Sequence, residues 1–204
     1  ICLISKPPHP EVADSLIAEL NTYDKAVVIC FLGETTFQSA SDNMQICNNL
    51  TETALAIAKH YHDSAKFPEL KTPQSLQISG TVLGLFCGGT LCSEAKQILG
   101  EGHEFIDYGD DEFTKGRPHP MIDPSLRAQA LLDKGRDPTI GAIILDFVLG
   151  YGSHSDPVGA ITESIQTLFQ ERQIPVFSSV TGSKTHPAET RRRNATTLAS
   201  IKCA

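Results

Sequence analysis

The sequence lacks several patterns that mark common classes of protein. No apolar run approaches the roughly 20 residues that a membrane-spanning helix needs. The absence of a Cys-x-x-Cys pair and of a His-Glu-x-x-His motif leaves a metal centre without support. A hydrolase nucleophile elbow and a Walker-type phosphate loop are missing as well. Positive charge is scarce, and the net charge of −7 argues against nucleic acid and anionic membranes as partners.

The cysteines indicate the compartment. Six of them are scattered through apolar segments, without close pairing. This distribution is typical of reduced, buried thiols, so we predict a soluble, cytoplasmic protein. The 204 residues suffice for a substantial core and for one domain or slightly more. Because Ile1–Ser5 already has a strand pattern, we expect the chain to be a piece of a longer protein.

The main feature of the sequence is a glycine-rich turn between a strand pattern and a helix pattern. Val82–Phe86 predicts a strand and Leu91–Leu99 a helix, with Gly88 and Gly89 between them. The first turn of a helix has unpaired amides, and the helix dipole adds partial positive charge there. We therefore predict that Gly88, Gly89 and Thr90 bind phosphate, with chain reversal alone as the alternative.

Strand and helix patterns alternate from residue 81 onward. The predicted strands are 82–86, 104–108, 140–148 and 174–180. The predicted helices are 91–99, about 123–134, 157–172 and 188–200. Parallel strands joined by helices predict an α/β fold, specifically a flavodoxin-like doubly wound parallel sheet.

The first 80 residues predict a smaller, partial α/β unit. Ile1–Ser5, Glu11–Leu20 and Ala26–Leu32 indicate strand, helix and strand, which we expect to be too small to close a core. An irregular loop is predicted over Thr35–Asn49 and a helix over Thr51–His62. We predict that residues 1–33 are the end of a preceding flavodoxin-like domain and that residues 34–80 are a linker with one helix. Residues 81–204 are predicted to form a flavodoxin-like domain.

Polar side chains are concentrated in the loops after the predicted strands. In open α/β sheets the carboxyl ends of the strands bind ligands, so these loops are expected to form one site. In the loop over 109–122, Arg117 could bind a carboxylate or phosphate and His119 could transfer a proton or hold phosphate. The further candidate site residues are Asp107, Asp110, Asp111, Asp123 and His154. The alternative is a solvated loop in which aspartates pair with Lys115 and Arg117.

Four segments carry a resemblance to a known family: Gly88–Ala95, Ile106–Asp111, Gly116–Pro124 and Leu145–Gly152. They resemble the FdrA family, bacterial acyl-CoA synthetase-like proteins related to succinyl-CoA synthetase. The resemblance implies a carboxyl-terminal fragment that lacks a nucleotide- or CoA-binding domain and most of the next domain. In the synthetase, helix N-termini from two such domains hold a phosphate and a phosphohistidine. The turn at Gly88 matches one of those helix starts.

This resemblance implies an enzyme that handles phosphate and an acyl or carbamoyl group. FdrA-type proteins have been linked to oxamate carbamoyltransferase, which converts oxalurate and phosphate to oxamate and carbamoyl phosphate. The alternatives are a CoA ligase of the succinyl-CoA synthetase type and a non-catalytic assembly module. The Gly-His-Ala context of the synthetase's phosphohistidine is not found here. Expected ligands are phosphate and a small-molecule substrate, with CoA or nucleotide through the missing domain and no metal. Expected partners are other subunits or copies of the chain, and we expect the fragment alone to be inactive.

Overall fold

The computed structural model describes residues 1–32, 37, 41–61 and 77–182. They belong to two compact units, which divide between Leu76 and Gln77. Both units contain a parallel sheet with helices, which confirms the predicted α/β, flavodoxin-like fold. None of the helices in the described ranges is long and apolar enough to cross a membrane. The predicted helix over 188–200 and residues 62–76 of the predicted linker lie outside the described residues.

The described residues of the first unit form three parallel strands and two helices. In chain order they are β1 (Cys2–Ser5), α1 (Pro10–Leu20), β2 (Val27–Phe31), β3 (Met44–Cys47) and α2 (Leu50–Tyr61). β2 lies between β1 and β3 and is buried along its whole length. Its alternate residues face opposite sides, so Ile29 packs with Ile17 of α1 while Cys30 packs with Ala56 of α2.

One prediction for this unit is wrong. The predicted loop over Thr35–Asn49 contains β3, which pairs in parallel with β2 through Ile29 and Ile46. The compact unit includes more than the predicted strand, helix and strand, because β3 extends the sheet and α2 packs on the face of β2 opposite α1. The compact unit therefore extends to Leu76, beyond the predicted boundary at residue 33. Its origin as the end of a preceding domain stays a prediction.

The second unit has four parallel strands within residues 77–182. Its elements are β4 (Thr81–Phe86), α3 (Gly89–Leu99), β5 (Glu104–Asp107), α4 (Asp111–Thr114), α5 (Ser125–Gly135), β6 (Ile140–Leu149), α6 (Gly159–Glu171) and β7 (Val176–Gly182). The predicted strands, and the predicted helices that precede β7, are confirmed with small shifts at their ends. The predicted loop over 109–122 also contains one helical turn, α4. Asp110 is the N-cap of this turn, and its side chain accepts the Glu112 N–H.

The order of the strands creates a crevice. The order in the sheet is β5-β4-β6-β7, so the chain turns to one side after β4 and to the other side after β5. The reversal lies between β4 and β6, whose register pairs Leu85 with Leu145. Such a switch point opens a crevice beyond the carboxyl ends of the two strands. Beneath it, Leu145 and Phe147 belong to a core with Leu131 of α5 and Ile161 of α6.

Candidate functional site

The candidate site lies at the carboxyl edge of the four-stranded sheet. Among the described residues, the segments that leave this edge are the β4–α3 turn, the connection from β5 to α5 and the β6–α6 loop. Because the strands are parallel, all three begin on the same side of the unit. The predicted site residues lie in these segments or at the strand and helix ends that border them.

The β4–α3 turn is held by Asp146, a fully buried residue of β6. Its Oδ1 accepts the Cys87 N–H at 2.7 Å, and its Oδ2 accepts the Gly88 N–H at 2.9 Å. Gly88 is the N-cap of α3, and a Cβ there would lie 3.1 Å from Asp146 Oδ2. The Asp146 carboxylate therefore already accepts the Gly88 N–H, which is no longer available to an external anion. Of the predicted phosphate site, the amides of Gly89 and Thr90 remain, since helix geometry gives them no partner within α3.

Arg127 of α5 neutralises the Asp146 carboxylate inside the protein. Its Nη1 donates to Asp146 Oδ1 at 2.9 Å, and its Nη2 donates to the Asp146 main-chain carbonyl at 2.8 Å. The exposed fractions of the two side chains are 2% and 0%. Arg127 Nε is buried without a hydrogen-bond partner among the described residues. A buried ion pair with an unpaired N–H contributes little net stability, so stability alone does not account for it.

The Cys87 thiol borders this ion pair, with Sγ 3.4 Å from Asp146 Oδ2. Burial raises the pKa of the Cys87 thiol to about 12, against a smaller opposing effect of the Arg127 charge. The thiol therefore stays protonated near neutral pH. Because the thiolate is the reactive form of cysteine, Cys87 is not a nucleophile in this arrangement.

We expect Cys87 to resist alkylation in the folded chain at pH 8, while the exposed Cys2 reacts. A pKa raised from 9.0 to about 12 lowers the thiolate fraction about a thousandfold. Iodoacetamide labelling followed by peptide mass spectrometry measures both sites, with the urea-unfolded chain as control. Equal labelling rates in the folded chain would contradict the prediction. The same shift means that stability falls as pH rises from 9.0 towards 12, because only the unfolded thiol loses its proton there.

Asp107 and His119 come together at Gly109. A Cβ added to Gly109 would lie 2.7 Å from His119 Nε2, 2.9 Å from the Cys87 carbonyl oxygen and 3.1 Å from Asp107 Oδ1. Asp107 Oδ1 also accepts the Gly109 N–H at 3.0 Å. The structure thus places the half-buried His119 ring beside the end of β5 and beside the start of the β4–α3 turn.

Main-chain amides orient both candidate histidines. The Met121 N–H donates to His119 Nδ1 at 3.2 Å, and the Asp156 N–H donates to His154 Nδ1 at 3.0 Å. A ring nitrogen that accepts a hydrogen bond carries no proton in the neutral form, so Nε2 carries it. Each neutral histidine therefore offers an N–H donor at Nε2, while its lone-pair nitrogen is engaged. This favours donation to an oxyanion over nucleophilic attack on phosphorus.

Met121 also joins two loops of the site. Its carbonyl accepts the main-chain N–H of His154 at 2.6 Å, so the segment before α5 is fastened to the β6–α6 loop. Asp123 Oδ1 accepts the Ser125 N–H at 3.0 Å. Hydrogen bonds from Ser125 lower the pKa of the Asp123 carboxyl, and nearby His154 makes a smaller contribution. Asp123 is therefore ionised at neutral pH.

Arg117 lines a surface pocket of about 460 Å³. The other lining residues are Pro118, Asp123, Ser125, Leu126 and Gln129. In the part of the chain that the structure describes, the exposed Arg117 guanidinium pairs with no carboxylate. Asp110 and Asp111 instead lie at the start of the short helix α4, so the expected alternative of pairing with Arg117 is not observed. Arg117 is thus available to an acidic ligand.

Sequence reasoning missed the residues that organise this edge: Asp146, Arg127 and Gly109. One signal was present, because Asp146 is the single charged residue of the apolar strand β6. Arg127 and Gly109 carry no comparable signal, since α5 and the loop after β5 each contain several other polar residues. Across the described ranges, no group of three His, Cys, Asp or Glu side chains is arranged to hold a metal ion.

Comparison with known proteins agrees with this fold. Residues 85–203 match the CoA-ligase family. The chain is also 34% identical over 200 residues to "Uncharacterized protein YahF" of Escherichia coli strain K12, with 81% of this chain and 39% of YahF covered. It thus spans well under half the length of this curated relative. The narrower assignment to the FdrA family stays a prediction. On the family match and this identity, the chain belongs to the CoA-ligase family.

Proposed function

We propose that the protein, in its natural length, is an acyl-CoA ligase that activates a small carboxylate through a phosphorylated acyl group. The observation that carries the proposal is the glycine-rich turn at the switch point, fixed from below by Asp146 and Arg127. It lies in the unit that matches the CoA-ligase family. Ligands of open α/β sheets bind at such points.

Three groups would contact the phosphoryl oxygens and the substrate. The amides of Gly89 and Thr90 would donate to phosphoryl oxygens at the start of α3. His119 would donate a further hydrogen bond through Nε2, the position that its contact with Met121 favours. Arg117 would bind the substrate carboxylate, since a guanidinium can bind a carboxylate with two parallel hydrogen bonds.

CoA and nucleotide would bind mainly outside this edge. Its exposed or half-exposed charged groups include more carboxylates than cations, among them Asp107, Asp110, Asp111 and Asp123. Phosphate-rich ligands need amide-rich or basic surroundings. We therefore place their main contacts in a further domain or subunit, which is consistent with the partial coverage of YahF.

Carbamoyl transfer from oxalurate is the second candidate. Arg117 and Asp123 line the same pocket with opposite charges. That pair suits a ligand that offers a carboxylate together with N–H groups, as a ureido acid does. We rank CoA ligation first because of the family to which the chain belongs, and we retain an assembly module as the non-catalytic alternative.

The test is turnover by the natural-length protein with any subunits that copurify. One reaction contains a panel of small carboxylates with CoA, nucleotide and Mg²⁺, and another contains oxalurate and phosphate alone. We expect thioester only in the first. Arg117→Ala is expected to raise the KM for the carboxylate by roughly ten- to a hundredfold, the loss of one charged, two-pronged contact. Lys115→Ala, a neighbouring exposed cation outside the pocket, is the matched control.

Each alternative result points elsewhere. Turnover of oxalurate without CoA would replace ligation by carbamoyl transfer. An absence of turnover in both reactions would favour the assembly module. Equal KM values for the Arg117 and Lys115 variants would remove Arg117 from the substrate site.

A further inference from the structure

We infer that Arg127 and Asp146 are positioning residues, which set the β4–α3 turn so that the Gly89 and Thr90 amides can bind an anion. The inference rests on the proposed function, because it assumes that an anion binds at this turn. It goes further in assigning a functional role to two buried residues that cannot themselves touch the ligand.

The hydrogen bonds fix the turn from both sides of the switch point. Both carboxylate oxygens of Asp146 are used, one on the Cys87 amide and one on the Gly88 amide. The Arg127 fork then holds Asp146 by its side chain and by its main-chain carbonyl. The turn at the end of β4 is thus tied to β6 and α5 at once. The next two amides along the chain begin α3 in a fixed orientation.

The charges explain why two residues are needed. A lone carboxylate bonded to Gly88 would oppose an anion at the adjacent amides of Gly89 and Thr90. Arg127 cancels that charge at 2.9 Å, so the pair supplies the geometry of a carboxylate without its repulsion. The pair as a whole carries no net charge, and its effect on an anion is therefore positional.

The energetics separate positioning from a role in stability. Replacing both members of a buried ion pair by neutral groups of similar size is often neutral or stabilising. The unpaired Arg127 Nε adds a cost that such a replacement would remove. A neutral pair should therefore keep the fold while it loosens the turn.

The experiment uses the double variant Arg127→Met with Asp146→Asn, which leaves the net charge of the pair at zero. Inorganic phosphate is titrated into the 204-residue chain, and ¹H–¹⁵N spectra follow the amides of Gly89 and Thr90. We expect phosphate to bind the unchanged chain and to bind the double variant about tenfold more weakly or worse, the equivalent of one charged hydrogen bond. Thermal unfolding should stay within a few degrees of that of the unchanged chain. The Cys87 and Gly88 amide signals should move, because asparagine offers one acceptor oxygen where the Asp146 carboxylate offers two.

The matched control is Lys134→Met with Glu104→Gln. This removes an exposed ion pair of 2.6 Å that also involves α5, again without net change of charge. Phosphate affinity should not change. If the double variant does not fold, Arg127→Lys tests the same point. Lysine keeps the charge but lacks the fork by which Arg127 bonds Asp146 Oδ1 and the Asp146 main-chain carbonyl together. We then expect Arg127→Lys to bind phosphate more weakly than the unchanged chain but still detectably. Binding as tight as that of the unchanged chain would overturn the inference.

The outcomes distinguish the inference from the proposed function. If the unchanged chain does not bind phosphate, the anion site of the proposed function is wrong and the positioning role with it. If the unchanged chain and the double variant bind equally, the positioning role alone is wrong. Tighter binding by Asp146→Asn with unchanged binding by the double variant would show an effect of charge only, which also overturns it.

Discussion

Asp146→Ala is expected to lower the free energy of unfolding of the second unit by about 3–5 kcal/mol. The variant leaves the Arg127 guanidinium buried and unpaired, and it deprives the Cys87 and Gly88 amides of their acceptor. Hydrogen exchange of the buried amides of β4 and β6 measures the effect in this unit separately from the first. The double replacement of Arg127 and Asp146 should cost far less than this single one.

Glu104→Ala is the control for the loss of an ion pair. Its partner Lys134 lies 2.6 Å away, but both side chains are about two-fifths exposed. Solvated pairs of this kind contribute at most about 1 kcal/mol. If Asp146→Ala and Glu104→Ala weaken exchange protection to the same small extent, the buried pair does not organise the edge as described.

Gly109→Ala is expected to lower kcat/KM of the natural-length protein about a hundredfold, the cost of misplacing a reacting group by roughly 1 Å. The added methyl would stand 2.7 Å from His119 Nε2 and 2.9 Å from the Cys87 carbonyl. Both distances are shorter than real Cβ contacts, so the His119 ring must move and the main chain at Cys87 or Gly109 must shift as well. Steady-state kinetics with the substrate identified by the turnover test measures the effect.

Gly150→Ala is the matched glycine. It lies in the β6–α6 loop at the same edge, and an added Cβ there meets no atom within 4 Å. We expect it to retain full activity. Circular dichroism should show both variants folded, so that a difference in kcat/KM reports on the packing of Gly109 against His119 and the β4–α3 turn. Equal activity of the two variants would mean that the position of His119 does not matter for turnover.

Local patterns predicted most elements of the second unit. The β-branched run that ends at Val148 became β6, and the apolar spacing over Leu91–Leu99 became α3, because each signal lies within a few consecutive residues. β3 was missed for the opposite reason. Met44–Cys47 is four residues long and follows a polar stretch, and it becomes a strand by pairing with β2. That pairing is a contact between distant parts of the chain.

The residue types at the candidate site were also readable in advance: a glycine-rich helix start, an arginine beside prolines, and aspartates and histidines after successive strands. Their relations were not. Asp146 reaches Gly88 across 58 residues and Arg127 across 19, because the register of β6 against β4 brings them under one turn. The contacts that select the protonated nitrogen of His119 and His154 are local, because each donor amide lies two residues after its histidine. Periodicity and motifs record which side chains face the core and where helices begin. Only strand register and loop packing decided which amide, carboxylate and imidazole meet, because hydrogen bonds of about 3 Å depend on positions that distant segments set jointly.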